Sequence, residues 1–360
     1  MSSWLARSWR QRGWVACLLW PVSMVYRVLS SLHTGLYRLG IFKVGRSPVP
    51  VIVVGNVVAG GGGKTPLVIA LMQHLKQQGV QAGVVSRGYG RQGKQGQVCL
   101  EVTEHTPISE SGDEPALILR WLAAPVFIAN RRIDAVYALL AKYPATQVIV
   151  SDDGLQHHAL ARDINITVFD DRGLGNGWLL PAGPLRQPYY LDQPPQGLVL
   201  HTGQAPAFKG YVSTRQLAES ALTADGDRVA LSSLKGRALT ALAGIANPDA
   251  FFDMLRADGL QLQRTIALPD HFDFSNYAWP VPHDSLVLCT EKDAVKLFNL
   301  PQFKSCSVLA VKLEFLPEPA FFAAVDVLLQ PLLNRPSHLP FYLPSQLPSP
   351  HGARNGHETA

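Results

Sequence analysis

The chain has 360 residues, 47% apolar and 16% charged. That is enough for about two domains with a sizeable core, too apolar for a disordered chain and too charged for a polytopic membrane protein. The formal charge of +5 is unevenly placed: residues 1–100 hold 12 of the 32 Lys and Arg and no Asp or Glu, which leaves 20 basic against 27 acidic residues in the rest. A basic front on an acidic body points to an anionic surface or ligand at the N-terminus and disfavours nucleic-acid binding by the whole protein. Cys17, Cys99, Cys289 and Cys306 form no C-x-x-C pair, which disfavours a disulfide scaffold or a zinc finger.

Residues 1–46 stand apart. Fourteen uncharged residues lie between Arg12 and Arg27 and ten more before Arg38, so Arg27 interrupts a span otherwise long enough to cross a bilayer. Arg7, Arg10 and Arg12 precede it, and Trp4, Trp9, Trp14 and Trp20 suit the headgroup layer. No A-x-A site follows, which disfavours a cleaved signal peptide. A membrane-associated helix, inserted or lying in the interface, is the expectation, with a buried core helix as its competitor.

From Pro48 strands and helices alternate. Strands are expected at Val51–Val54, Ala82–Val85, Val126–Ala129, Gln147–Val150 and Ile164–Phe169, and helices near Lys64–Gln78, Glu114–Leu122 and Arg132–Lys142. Apolar strands alternating with helices predict a mainly parallel sheet covered on both faces. Residues 171–196, rich in Gly and Pro, read as a connector. Residues 197–330 read as a smaller α/β domain, with strands at Ala238–Ala243, Leu260–Ala267, Ser285–Cys289 and Val308–Lys312 and a helix at Pro248–Asp258. The Pro-rich residues 331–360 read as a disordered tail.

The strongest chemical signal is Val54-Gly55-Asn56-Val57-Val58-Ala59-Gly60-Gly61-Gly62-Gly63-Lys64-Thr65. Between an apolar strand and a helix, such a run is a phosphate-binding loop. Glycines let backbone N–H groups face phosphate oxygens, the helix N-terminus adds its dipole, Lys64 can bridge β- and γ-phosphates, and Thr65 can ligate Mg²⁺. Asn56, Gly60, Gly61, Gly62, Gly63, Lys64 and Thr65 are therefore the expected nucleotide contacts of a P-loop NTPase-type core over residues 47–170. Val58 stands where the strict motif has glycine. Asp152 and Asp153, at the end of the fourth of these strands, suit a hard divalent cation that keeps its waters. Asp113 sits at a helix start, where a plain N-cap is the simpler reading. Arg87, Arg186, a lone His271 in a loop, and Thr290-Glu291-Lys292-Asp293 are further polar candidates, none diagnostic alone.

Taken in order, these segments resemble tetraacyldisaccharide 4'-kinase, the lipid A 4'-kinase of Gram-negative bacteria. The resemblance runs through Gly63-Lys64-Thr65-Pro66, Ser86-Arg87-Gly88-Tyr89-Gly90, Gly112-Asp113-Glu114-Pro115, Asp152-Asp153-Gly154-Leu155-Gln156-His157, Asn176-Gly177 with Leu180 to Arg186, Asp270-His271 and Thr290 to Lys296. It implies ATP-dependent, Mg²⁺-dependent phosphorylation of the 4'-hydroxyl of a tetraacylated glucosamine disaccharide 1-phosphate, giving lipid IVA on the cytoplasmic face of the inner membrane. It also implies a lipid substrate and a membrane surface as partners, with no obligate protein partner. By the same resemblance Asp113 is the catalytic base, His271 its partner across closing domains, and Arg87, Glu114, His157 and Arg186 contact substrate or phosphate. Val58 departs from the family's Ser or Thr, and the tail lies outside the pattern. A dethiobiotin-synthetase-like ligase would have no use for the first 46 residues. A membrane-associated switch ATPase or GTPase would hydrolyse nucleotide without a lipid sugar.

Overall fold

The computed structural model of the chain describes residues 8–60, 63–88, 99–189, 197–203, 206–245, 247–270, 272–274, 277, 285–298, 300 and 307–334. Gly61, Gly62, His271 and the stretch 335–360 lie outside the described residues.

Helix α1 (Trp14–Arg38) has 25 residues, with Pro21 inside, and is long and apolar enough to cross a membrane. Its two faces differ. Trp14, Leu18, Val22, Val25, Leu29 and Leu32 are exposed, while Ala16 and Ser23 are fully buried. A spacing of three or four residues puts the exposed side chains on one continuous stripe.

The described strands form one 13-stranded sheet built as two parallel blocks. In the first, β1 (Val51–Gly55) lies between β5 (Val148–Asp152) and β6 (Ile164–Phe169), followed outward by β2 (Ala82–Ser86) and β4 (Val126–Ala129) on one side and β7 (Gly197–His201) on the other, all parallel. Only the edge strand β3 (Cys99–Val102) runs antiparallel. Helices α2 (Lys64–Gln77) and α4 (Asp113–Trp121), the latter entered through the single turn α3 (Ile108–Ser111), pack on one face, and α5 (Arg132–Lys142) packs on the other. Strands β1 and β5 are buried along their whole length, as both-face coverage requires.

The long strand β8 (Tyr211–Leu222) joins the blocks. Its first residues pair in parallel with β7, and from Ser213 onward it pairs antiparallel with β13 (Ser307–Pro317). Strand β13 continues the second block through β12 (Leu286–Thr290), β10 (Leu239–Ala243) and β11 (Leu262–Ala267), all parallel, while the short β9 (Arg228–Ala230) pairs with β8. Since β8 starts beside the C-terminal end of β7 and the second block runs against it, the C-terminal strand ends of both blocks face one cleft. Helices α6 (Pro248–Ala257) and α7 (Glu291–Leu297) cover the second block.

The last helix, α8 (Pro319–Leu333), does not stay with the second block. Phe321, Ala324, Val325, Leu328, Leu329 and Leu332 join the core of the first, among Leu67, Leu71 and Ile166. His74 stacks on Phe322 at 4.4 Å and meets Asp326 at 2.8 Å. So residues 197–330 are divided between the two blocks, with β7 and α8 in the first. The expectation of a disordered tail from 331 is corrected: Pro331, Leu332 and Leu333 complete α8, and buried Leu332 explains why.

Candidate active site

The sequence places glycine where the backbone must be left-handed. Gly63, at φ +86°, caps the start of α2 and hands the chain into Lys64. Asn56, buried at the end of β1, donates from Nδ2 to the Gly60 carbonyl at 2.9 Å and receives Lys64 Nζ on Oδ1 at 3.5 Å. Val58 has no polar duty: it is buried in the apolar cluster of Leu155 and Leu185, and its backbone bridges antiparallel to Leu185. Around this bridge Arg186 N–H donates to the Val57 carbonyl at 2.7 Å, and Ala59 N–H donates to the Pro184 carbonyl at 2.8 Å. The departure from Ser or Thr at position 58 is thus a packing choice.

Asp152 and Asp153 stand beside this loop in opposite electrostatic states. Both carboxylate oxygens of Asp152 are buried without a hydrogen-bond partner. Burial, with Glu114 and Asp153 adding repulsion, pushes its carboxyl up to about 8. Asp153, at φ +46°, is desolvated too, but Lys64, Arg186 and Arg132 outweigh that and hold it below the usual carboxylate range. Lys64 Nζ lies 3.4 Å from Asp153 Oδ1, and Arg186 Nη1 lies 3.4 Å from both its oxygens.

Arg132, which the sequence reading does not single out, is 4% exposed and donates from Nη2 to the Asp152 and Asp153 carbonyls at 3.2 and 2.7 Å. His157 accepts from the Arg132 N–H at 3.4 Å; burial, helped by Arg132 and Arg87, lowers it to about 4, so it is neutral. Two further arginines flank the loop: Arg172 donates to the Ala59 carbonyl at 3.3 Å, and Arg215 of β8 donates to Thr202 Oγ1 at 3.0 Å beside Gly63. Arg131-Arg132, one residue past the end of β4, was the signal available for Arg132. For Arg172 and Arg215 no local motif exists.

The loop opens into a cleft of about 310 Å³ shared by both blocks. Lys64, Thr65 and Glu114 line it from one side, and Thr290, Glu291 and Lys292 from the other. Trp121 and Phe315 supply apolar wall, with the Lys312 ammonium 4.0 Å over the Trp121 ring. Burial raises Glu291 to about 7 against the pull of Lys312 and Arg120. Asp293 takes no part in the cleft. Its carboxylate accepts from Gly244 N–H at 3.0 Å and from the Thr290 hydroxyl at 2.6 Å, which makes it a structural cap. Asp113 is ion-paired at 2.6 Å with Lys296 of α7, which also donates to the Phe272 carbonyl at 3.0 Å, so the first block meets the second where His271 is its neighbour in sequence.

The donor set fits a divalent cation. The orphaned, buried Asp152 oxygens gain the charge they lack from one. Asp152 and Asp153 are hard oxygen donors of the kind that holds Mg²⁺ through one or two carboxylates together with phosphate oxygens.

A parallel sheet with a glycine loop, a Lys-Thr at a helix start and an acidic pair at the neighbouring strand end defines a phosphate-loop nucleotide-dependent protein. The family model of tetraacyldisaccharide-1-P 4'-kinase matches residues 15–330. Tetraacyldisaccharide 4'-kinase of Polaromonas naphthalenivorans is 59% identical over 354 residues, 98% of this chain and 99% of its own, and that of an Acidovorax species is 49% identical over 332 residues, 91% and 95% of the two chains. The crystal structure of LpxK from Aquifex aeolicus in complex with ATP superimposes with a TM-score of 0.74 at 29% identity, covering 89% of this chain and 99% of that one. The chain belongs to the tetraacyldisaccharide 4'-kinase family, the ATP-dependent kinases of lipid A synthesis.

Proposed function

We propose that this kinase transfers the γ-phosphoryl group of ATP to the 4'-hydroxyl of a tetraacylated glucosamine disaccharide 1-phosphate held in the cytoplasmic face of the inner membrane, giving lipid IVA and ADP. The observation that carries the reading is the ring of Lys64, Arg132 and Arg186 around Asp153, at the mouth of a glycine loop that opens into a cleft shared by both blocks.

In this mechanism the 4'-oxygen attacks the γ-phosphorus as the bond to the β,γ-bridging oxygen breaks. Asp113 takes the hydroxyl proton, with His271 orienting it, and Lys64 and Arg186 offset charge on the transferring phosphoryl group. Asn56 and the loop glycines position the phosphates, and Arg87, Glu114 and His157 orient the sugar and its phosphate. Thr65, Asp152 and Asp153 would hold Mg²⁺, which when bound would supply positive charge against the phosphates and the departing ADP. Lys296 meets Asp113 through Oδ2, so Oδ1 is the oxygen to take the proton.

Helix α1 supports a membrane seat in the interfacial plane. Ser23 and Tyr26, at mid-helix, are hydrogen-bonded to the body of the protein, which a helix crossing the bilayer would have to drag into hydrocarbon. The exposed stripe faces lipid instead. Each leucine side chain buried there is worth about 1.5–3 kcal/mol. Leu18→Gln combined with Leu29→Gln is therefore expected to cut binding to anionic phospholipid vesicles at least tenfold in a flotation assay; unchanged flotation would remove α1 as the membrane contact.

The reaction itself is tested by transfer of label from [γ-³²P]ATP to tetraacyldisaccharide 1-phosphate in detergent micelles. Wild type yields labelled lipid only with Mg²⁺. Lys64→Ala and Asp113→Ala each lose at least a hundredfold in rate. Full activity in Asp113→Ala would sink its assignment as base.

A further inference from the structure

The hydrogen bonds of α1 converge on one segment of the protein. Ser23 is fully buried; its Oγ donates to the Leu179 carbonyl and accepts from Ala182 N–H, both at 2.9 Å. Three residues on, the Tyr26 hydroxyl donates to the Arg186 carbonyl at 2.6 Å. Just ahead of the helix, Trp9 Nε1 donates to the Pro181 carbonyl at 2.8 Å and Arg12 Nε to the Asn176 carbonyl at 3.1 Å, with the Arg12 guanidinium 5.2 Å over the Trp178 ring. Side chains of the N-terminal segment therefore fix the backbone of 176–186 at both ends and in the middle.

That backbone belongs to the catalytic centre. Its Leu185 bridges Val58, the Arg186 N–H holds the Val57 carbonyl, and the Arg186 guanidinium reaches Asp153, which in turn receives Lys64. From Tyr26 to Lys64 the chain of contacts is continuous: hydroxyl, Arg186 carbonyl, Arg186 guanidinium, Asp153 carboxylate, Lys64 ammonium. Only one face of α1 is used in this way. The other is the apolar stripe.

We propose that Tyr26 and Ser23 are positioning residues for Arg186, so that the same helix that seats the kinase on lipid also sets the phosphate-loop geometry. Tyr26 fixes where the Arg186 backbone stands, Ser23 fixes the turn that precedes it, and the guanidinium is thereby held toward Asp153. The inference rests on the proposed role of Arg186 at the transferring phosphoryl group. It adds that α1 contributes to turnover itself, beyond concentrating enzyme at a surface.

The test uses the full-length protein in mixed micelles of defined lipid mole fraction. Wild type, Tyr26→Phe, Ser23→Ala, Arg186→Ala and the double variant Tyr26→Phe with Arg186→Ala are compared for kcat, for KM toward both substrates, for vesicle flotation and for melting temperature. Loss of one hydrogen bond to the positioned carbonyl lowers kcat about three- to tenfold in Tyr26→Phe. KM for the lipid and flotation stay at wild-type values, and in the Arg186→Ala background the Tyr26→Phe change has no further effect. Ser23→Ala behaves likewise, and Tyr26→Phe melts within a degree or two of wild type. A Tyr26→Phe enzyme with normal kcat, or one whose only defect is weaker flotation and a higher lipid KM, overturns the proposal. So does a Tyr26→Phe penalty that persists in full without the Arg186 side chain. If Arg186→Ala alone keeps wild-type kcat, the role assigned to Arg186 fails, whatever Tyr26→Phe does.

Discussion

Asp152→Asn makes the metal-free protein more stable while removing its Mg²⁺-dependent kinase activity. The Asp152 carboxyl stands at about 8 in the folded protein against 3.8 for an ordinary aspartate. Between those values the folded state holds a proton that the unfolded state has lost. Stability in the absence of cation is therefore full below about pH 4 and falls as pH rises toward 8. Asparagine keeps the shape and carries no proton to lose. The gain is thus absent at pH 4 and largest above pH 8, where it reaches on the order of a few kcal/mol. Thermal melts in EDTA from pH 4 to pH 9 read this directly. Added Mg²⁺ with nucleotide should stabilise wild type more than the variant, which keeps the phosphate loop but lacks this carboxylate. A variant that melts below wild type at pH 9 would show that this carboxylate is satisfied in a way its orphaned oxygens do not suggest.

Phe321→Ala destabilises the protein by about 3–5 kcal/mol, the range for truncating a fully buried aromatic ring. Phe321 has no exposed surface and meets Tyr211, the first residue of β8, edge-on at 5.8 Å. It follows the second block in sequence, yet its ring belongs to the core of the first. Urea unfolding is expected to show the loss in the transition that exposes Trp121 of α4, far from position 321 along the chain. A loss under 1 kcal/mol would mean that α8 merely rests on the first block.

Much of the site was legible because its chemistry is tied to strand ends. The glycine run falls between a buried apolar strand and a helix, and Asp152-Asp153 ends another, so both motifs arrive with their structural context. Arg132 is harder. It begins a helix, where a cation opposes the dipole, and only the fold shows that its guanidinium turns to the carbonyls of 152 and 153. Arg215 could not be found at all, since its partner Thr202 lies just past the end of another strand, β7. Strands β1, β2, β4, β5 and β6 read well because their apolar runs are buried, whereas the edge strand β3 and the strand β7 were not among the expected ones. β8 did not read well, because Thr214, Arg215 and Gln216 in its run are polar and exposed and its fully buried side chains sit only near its ends. α8 was hidden by Pro319 and Pro331. The first occupies the opening turn, where proline is favoured, and the second falls in the last turn, where little of the helix remains to break.

The proximity of Asp113 to the second block, and the whole cleft with it, hangs on how that block is attached. The join is β8, 12 residues of ladder hydrogen-bonded to β7 at its start and to β13 for the rest. A flexible tether would let the blocks wander and would have to be ordered at every turnover. A shared strand cannot swing; it can only twist and bend as a stiff leaf, with strain spread over many small backbone rotations. Opening is then limited in amplitude and self-restoring. Displacement of the second block relative to the first is resisted by the elasticity of this shared sheet.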